Sequence, residues 1–224
     1  MYNLSMEQLV ISPRNLRQQA LADAKRQHIL NAAKAVFMEF GLDAVSMREI
    51  AKKAGYTAGA IYSYFASKED IYAALLTDSL ERLNDCVSQS TQGASIDQKV
   101  DAKKTILELR KSALAFYQFY RENPRDLDLG FYLFQGLKPR GLSGTWDQAL
   151  NKRLRDAMHP QEIALKKLGF SKKEIDTELT ATFAHIVGVL LLNHTGRIRM
   201  FGKGADELIN HYLDQLALRL PKNK

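Results

Sequence analysis

Apolar positions recur at spacings of three and four along most of the chain, and no run alternates with period two between turn residues, so the pattern predicts an all-α fold without a sheet. Ahead of residue 45, Ile29, Ala32, Ala33, Val36, Phe37 and Phe40 share one face of a helix that Gly41 stops. Residues 45 to 68, VSMREIAKKAGYTAGAIYSYFASK, divide instead into two short helical segments around Gly55. About six helices follow Lys68, the first a long one from Ser67 to about Gln89. Loop signals lie at Gln92 to Ser95, Asn123 to Pro124, Gly136 to Gly144, His159 to Pro160, Gly169 to Ser171 and Gly202 to Gly204. Neither an internal repeat nor a low-complexity tract is present.

The two short segments carry the chemistry. Ser46 with Glu49 three positions on is a capping box, so a helix starts there, and Ile50, Ala51 and Ala54 form its packing face. Gly55 supplies the left-handed exit, which only glycine takes without a Cβ penalty. Thr57 can cap the next helix, whose first turn is Ala58, Gly59 and Ala60, too small to hold a backbone away from base edges. Tyr62 and Tyr64 are rigid arms ending in hydroxyls, while Ile61 and Phe65 anchor the segment in the core. Ser67 can cap a further helix with Lys68 in its first turn, a place where ammonium, backbone N–H groups and helix dipole together favour a phosphate. This arrangement is a helix-turn-helix suited to DNA.

Two later stretches differ in kind. Residues 171 to 198, opened by a Ser171–Glu174 capping box, become apolar on nearly every side around Val187 to Leu192, which requires burial on more than one face. The last helix lays Leu208, Ile209, Tyr212, Leu213, Leu216 and Leu220 along a broad stripe. In the middle of the chain, Phe116, Tyr117, Phe119 and Tyr120 crowd one helix and cannot all share a face, so some are core and others are free to wall a cavity.

Composition narrows the class. The formal charge of +7 suits a polyanionic partner, but residues 1 to 70 hold only 9 basic and 7 acidic groups, so the excess is spread along the chain and Arg48, Lys52, Lys53 and Lys68 form the local cluster. The single Cys86 permits no intrachain disulfide and fits a reducing cytoplasm. The longest strongly apolar run, Ile186 to Leu192, is short for a bilayer, and the N-terminus lacks a signal-peptide pattern, so a cytoplasmic protein without membrane contact is expected. Residues 1 to 22 read either as an N-terminal arm, in which Arg14 and Arg17, with Lys25 and Arg26 just beyond, can reach the DNA backbone or minor groove, or as a disordered tail without function.

On RQHILNAAKAVFMEFGLDAVSM, the capped pair of short segments and IYSYFASKEDIYAALL, the chain resembles the TetR family of bacterial transcriptional regulators, strongly so over residues 26 to 76. The resemblance implies a DNA-binding domain at 23–68, a three-helix bundle with the helix-turn-helix, and a larger helical effector-binding and dimerisation domain at 69–224. It places DNA contacts on Ser46, Met47, Arg48, Ala58, Gly59, Ala60, Tyr62, Tyr64 and Lys68. Since Ala58, Gly59 and Ala60 lack polar side chains, readout rests on Arg48, on methyl contacts and on DNA shape. It further implies a homodimer closed by the last two helices, with Ile186, Val189, Leu190, Leu208, Tyr212 and Leu216 at the interface, on a palindromic double-stranded operator. A small-molecule effector, apolar or amphipathic, would bind near Phe116, Tyr120, Phe131, Tyr132, Trp146 and His185 and release the operator, most often relieving repression.

Other classes have less behind them. His28, His159, His185, His194 and His211 include no pair at helical ligand spacing, and no nucleophile elbow, P-loop or dinucleotide fingerprint occurs, so neither a metal, a cofactor nor an enzymatic activity is expected. A regulator governed by a protein partner, or a constitutive DNA-binding protein, is the alternative reading of the same helix-turn-helix.

Overall fold

The computed structural model describes residues 12–91, 101–131, 142 and 144–219, and among them every regular element is helical. In chain order these are α1 (Pro13–Ala44), α2 (Met47–Ala54), α3 (Ala58–Tyr62), α4 (Lys68–Ser90), α5 (Ala102–Glu122), α6 (Pro124–Phe131), α7 (Gly144–Lys167), α8 (Lys172–His194), a short 3₁₀ turn (Arg197–Phe201) and α9 (Ala205–Leu218). The chain divides into two compact units, with the boundary between Leu75 and Leu76, inside α4.

The first unit packs α2, α3 and the start of α4 on α1. Ile29, Ala33 and Phe37 from α1, Ile50 from α2, Ile61 from α3 and Ile71 and Tyr72 from α4 are each at most 1% exposed. Phe37 and Tyr72 meet edge to face at 5.4 Å. The helix starts at Pro13, inside the stretch expected to be an arm, because Ser12 accepts the Asn15 N–H and proline fits the first turn. Arg14, Arg17 and Lys25 line its exposed length, and the Arg26 guanidinium covers the Phe65 ring at 5.0 Å. Gly41 breaks the helical backbone at φ 79°, as its place in the pattern predicts.

The second unit is a helical bundle in which α5 packs on α7, α8 and α9. Leu109, Ala164, Leu165, Ile175, Leu179 and Leu216 make one continuous buried cluster across those helices. Pro160, expected to mark a loop, lies inside α7. A proline there removes one helical hydrogen bond, but Ala157, Gln161, Ala164 and Leu165 are buried on both sides of it, and that packing carries the helix through.

By length and composition α8 is also able to cross a membrane, with a mean hydropathy of 1.5 over 18 residues, a longer apolar window than the Ile186 to Leu192 run implied. Here its capping box is formed, its buried face sits in the bundle core, and only 33% of that window is buried. Of the residues expected at an interface on α8 and α9, four turn inward. Ile186, Val189, Leu190 and Leu216 are buried within their own unit, and Leu208 and Tyr212 are half-buried, with Tyr212 stacked on His185 at 4.3 Å. The outward face of α8 carries Thr177, Thr180 and Ala184, with Ala181, Gly188 and Leu191 half-exposed beside them.

Candidate nucleic-acid interface and ligand cavity

The turn between α2 and α3 is built by short-range bonds that the sequence specifies. Ser46 N donates to Glu49 Oε2 at 2.6 Å while Glu49 N donates to Ser46 Oγ at 3.3 Å, closing the box at the start of α2. These bonds from the Ser46 backbone and hydroxyl, with the Lys68 charge, hold the Glu49 carboxyl below its ordinary pKa. Gly55 leaves α2 at φ 71°, and Tyr56 N returns to Ala51 O at 2.9 Å. From α1, His28 Nε2 bonds Ala54 O at 3.0 Å and its ring meets Tyr56 edge on. Thr57 Oγ1 then accepts Ala60 N at 3.2 Å and starts α3.

These bonds leave a low, open surface. Gly59 is exposed and a Cβ there would meet nothing within 4 Å, while Ala58 and Ala60 are half-exposed. Tyr62 is 56% exposed and Tyr64 half-exposed, whereas Ile61 and Phe65 are buried. Arg48, Lys52, Lys53 and Ser46 are exposed on α2 or its cap.

Two of the expected contacts fall elsewhere. Met47 is 8% exposed and belongs to the core, because the helix period turns it inward with Ile50 and Ala51. Lys68 Nζ donates to the carbonyls of Leu42 at 2.7 Å, Asp43 at 3.1 Å and Val45 at 2.9 Å. An ammonium has three donors, so all three are used in tying the end of α1 to the start of α4. Sequence spacing shows which residues sit at a helix start, but not which carbonyls fold back over them.

The second unit contains a cavity of about 350 Å³. Its walls are Leu76, Ser79 and Leu80 of α4, Tyr120 of α5, Gly130 and Phe131 of α6, and Asp147, Leu150, Asn151 and Leu154 of α7. Of the expected pocket residues, Tyr120 and Phe131 line it, their rings 6.1 Å apart. Phe116 stands behind as buried support, edge on to Tyr120 at 5.3 Å. Trp146 is half-buried beside the lining residue Asp147, and Tyr132 lies outside the described residues. His185 is not in this lining and is bonded to Leu208 O at 3.3 Å. The α4 and α7 contributions were missed; Ser79 and Asn151 interrupting leucine-rich helix faces are the signal that would have found them.

Comparisons with known proteins agree with this architecture. The family described as bacterial regulatory proteins, tetR family, matches residues 29–75, the α1 to α4 part of the first unit. The HTH-type transcriptional regulator YdgC of Bacillus subtilis is 28% identical over 156 residues, covering 70% of this chain and 73% of its own. Among solved structures, the TetR family transcriptional regulator PfmR of Thermus thermophilus superposes with a TM-score of 0.59 at 21% identity, covering 87% of this chain and 99% of its own. The fatty acid degradation regulator FadR of Bacillus halodurans gives 0.60 at 18% identity, covering 89% and 97%. At these identities the two structures share the fold. With a capped, glycine-turned helix pair exposing a bare first turn and two tyrosines, residues 29–75 match the DNA-binding part of the tetR family of bacterial regulatory proteins, and the chain as a whole is similar to HTH-type transcriptional regulators of TetR-like fold.

Proposed function

We propose that the α2–α3 face of the first unit reads a palindromic operator, two copies per dimer, and that a small molecule in the second unit's cavity releases it, making the protein a ligand-responsive repressor of the cytoplasm. The observation that carries this reading is the exposed first turn of α3, where Gly59 has open space around it and Tyr62 is 56% exposed. Ala58, Gly59 and Ala60 let the helix backbone approach base edges and thymine methyl groups. Tyr62 and Tyr64 meet phosphates through their hydroxyls, and Arg48 supplies a fork for phosphate or guanine. Ser46 keeps the N-terminus of α2 capped beside them.

The dimer is supported by α8. This helix is strongly apolar, yet its Thr177, Thr180, Ala181, Ala184, Gly188 and Leu191 side is not covered by its own unit. Small residues at helical spacing admit close approach of a second helix, and twofold pairing there would present two recognition helices. For release, α4 is one continuous helix that starts at Lys68 in the DNA-binding unit and supplies Leu76, Ser79 and Leu80 to the cavity wall. An occupant that shifts this wall acts on the same helix that seats the reading head. A coupling of about 1–3 kcal/mol would change operator affinity roughly 5- to 150-fold.

Selection of duplexes from a random pool, followed by titration at several salt concentrations, tests the reading. It predicts an enriched palindrome with half-site centres roughly 34–36 Å apart and affinity that falls steeply with salt. Enrichment of nothing, or of a single asymmetric site bound by a monomer, would overturn it.

A further inference from the structure

Resting on the reading of the 350 Å³ cavity as the effector site, we infer that its ligand is a largely apolar molecule carrying a positive charge, an amine or quaternary ammonium compound. The walls divide by chemistry. Leu76, Leu80, Leu150 and Leu154 supply aliphatic surface and Phe131 an aromatic ring, so the body of the ligand must be apolar.

The polar groups that remain are uneven in charge. Asp147 brings a carboxylate, and Ser79, Asn151 and Tyr120 bring neutral polar atoms. No lysine, arginine or histidine occurs in the described lining. Asp147, Leu150, Asn151 and Leu154 recur at spacings of three and four, so one face of α7 grades from the carboxylate at its N-terminal end into leucine surface, an amphipathic wall. Asp147 Oδ1 accepts Leu142 N at 3.0 Å, which orients the carboxylate without neutralising it.

Tyr120 completes the setting. Burial, and the nearby Asp126 charge, push its phenol above the ordinary range, so it stays neutral, and Gly130 leaves room beside the hydroxyl, where a Cβ would come within 3.9 Å. An aromatic ring and a carboxylate in the same cavity lining attract a cation twice over, through the ring quadrupole and through charge. A carboxylate head in this space would meet Asp147 with no described counter-charge.

A matched series with one ten-carbon tail and three heads provides the test: decyltrimethylammonium, decan-1-ol and decanoate, each below its micelle concentration, titrated by calorimetry and by fluorescence of the single Trp146 beside Asp147. The expected order is ammonium tightest and decanoate weakest. Asp147→Asn should weaken the ammonium about tenfold and leave decanol unchanged, and Asp147→Glu should keep the preference. Decanoate binding as tightly as the ammonium, an order unaffected by Asp147→Asn, or no binding of any probe would each overturn the inference. Ammonium binding that depends on Asp147 but leaves operator affinity unchanged would uphold the ligand class and refute the release mechanism instead.

Discussion

Arg82 on α4 donates from Nη2 to Oδ1 of Asp126 on α6 at 2.7 Å, and the pair is lopsided: the carboxylate is 5% exposed and the guanidinium 42%. The same guanidinium reaches Asp78 and lies over the Phe119 ring at 5.6 Å. Burial alone would pull its pKa down, but the two carboxylates outweigh that and leave it raised. Because α4 and α6 both line the cavity, this bond joins two of its walls.

The lopsidedness sets an order for substitutions. Arg82→Ala removes a cation from a sealed carboxylate and should cost about 2–3 kcal/mol, whereas Asp126→Ala leaves a guanidinium that can turn to water and should cost about 1 kcal/mol. Urea unfolding of the two variants checks the order. Equal losses would mean that the buried carboxylate is not what the pair protects.

Lys68 provides a separation of structural from DNA-binding roles. With its ammonium bonded to the carbonyls of Leu42, Asp43 and Val45, Lys68→Met should lower stability by about 2 kcal/mol yet leave the slope of log affinity against log salt unchanged. Arg48→Ala should do the reverse, reducing that slope by about one and relaxing sequence preference while barely touching stability.

Glu49 predicts a pH dependence. Its carboxyl titrates below the ordinary value of 4.5 because the Ser46 backbone and hydroxyl hold the ionised form. A depressed folded pKa means that the cap contributes fully above about pH 4.5 and is lost as pH falls through the lower, folded value. Amide exchange at the start of α2 should therefore accelerate in that acid window. Glu49→Gln should remove the acid-dependent step, and the parallel Ser171–Glu174 box on α8 should open over a similar window.

Gln161 on α7 is 1% exposed, and neither amide atom finds a partner among the described residues. An unpaired buried amide costs more than an apolar side chain of the same shape. Gln161→Met should raise stability by about 1–2 kcal/mol in thermal or urea unfolding, and a loss would show that the amide is satisfied in solution.

What the sequence displayed was whatever short-range chemistry dictates. The Ser46 and Ser171 boxes, the Gly41 and Gly55 breaks, the Thr57 cap and the inward Ile61 and Phe65 all depend on residues within a turn or two of one another. The inward turn of Met47 follows the period of its own helix, whereas the carbonyls that hold Lys68 come from the end of α1 and could not be read from local spacing. The α8 and α9 stripe posed the same difficulty: an apolar face at Ile186 and Leu190 needs a cover, but periodicity does not tell whether α5 and α9 or a second subunit provides it. The cavity was half legible, since aromatic crowding marked Tyr120 and Phe131 while the α4 and α7 walls depend on tertiary packing.

Gly59→Leu tests the DNA-binding face most directly. A side chain added there meets no atom of the protein within 4 Å and replaces a helix-weakening glycine, so stability should hold or rise. It would nevertheless stand between the α3 backbone and the groove. Measured against the selected palindromic duplex, operator affinity should fall at least about tenfold with thermal stability intact, the loss of about one good base contact or more. Unchanged affinity in a fully folded Gly59→Leu protein would contradict the account, because the first turn of α3 would then not be what approaches DNA.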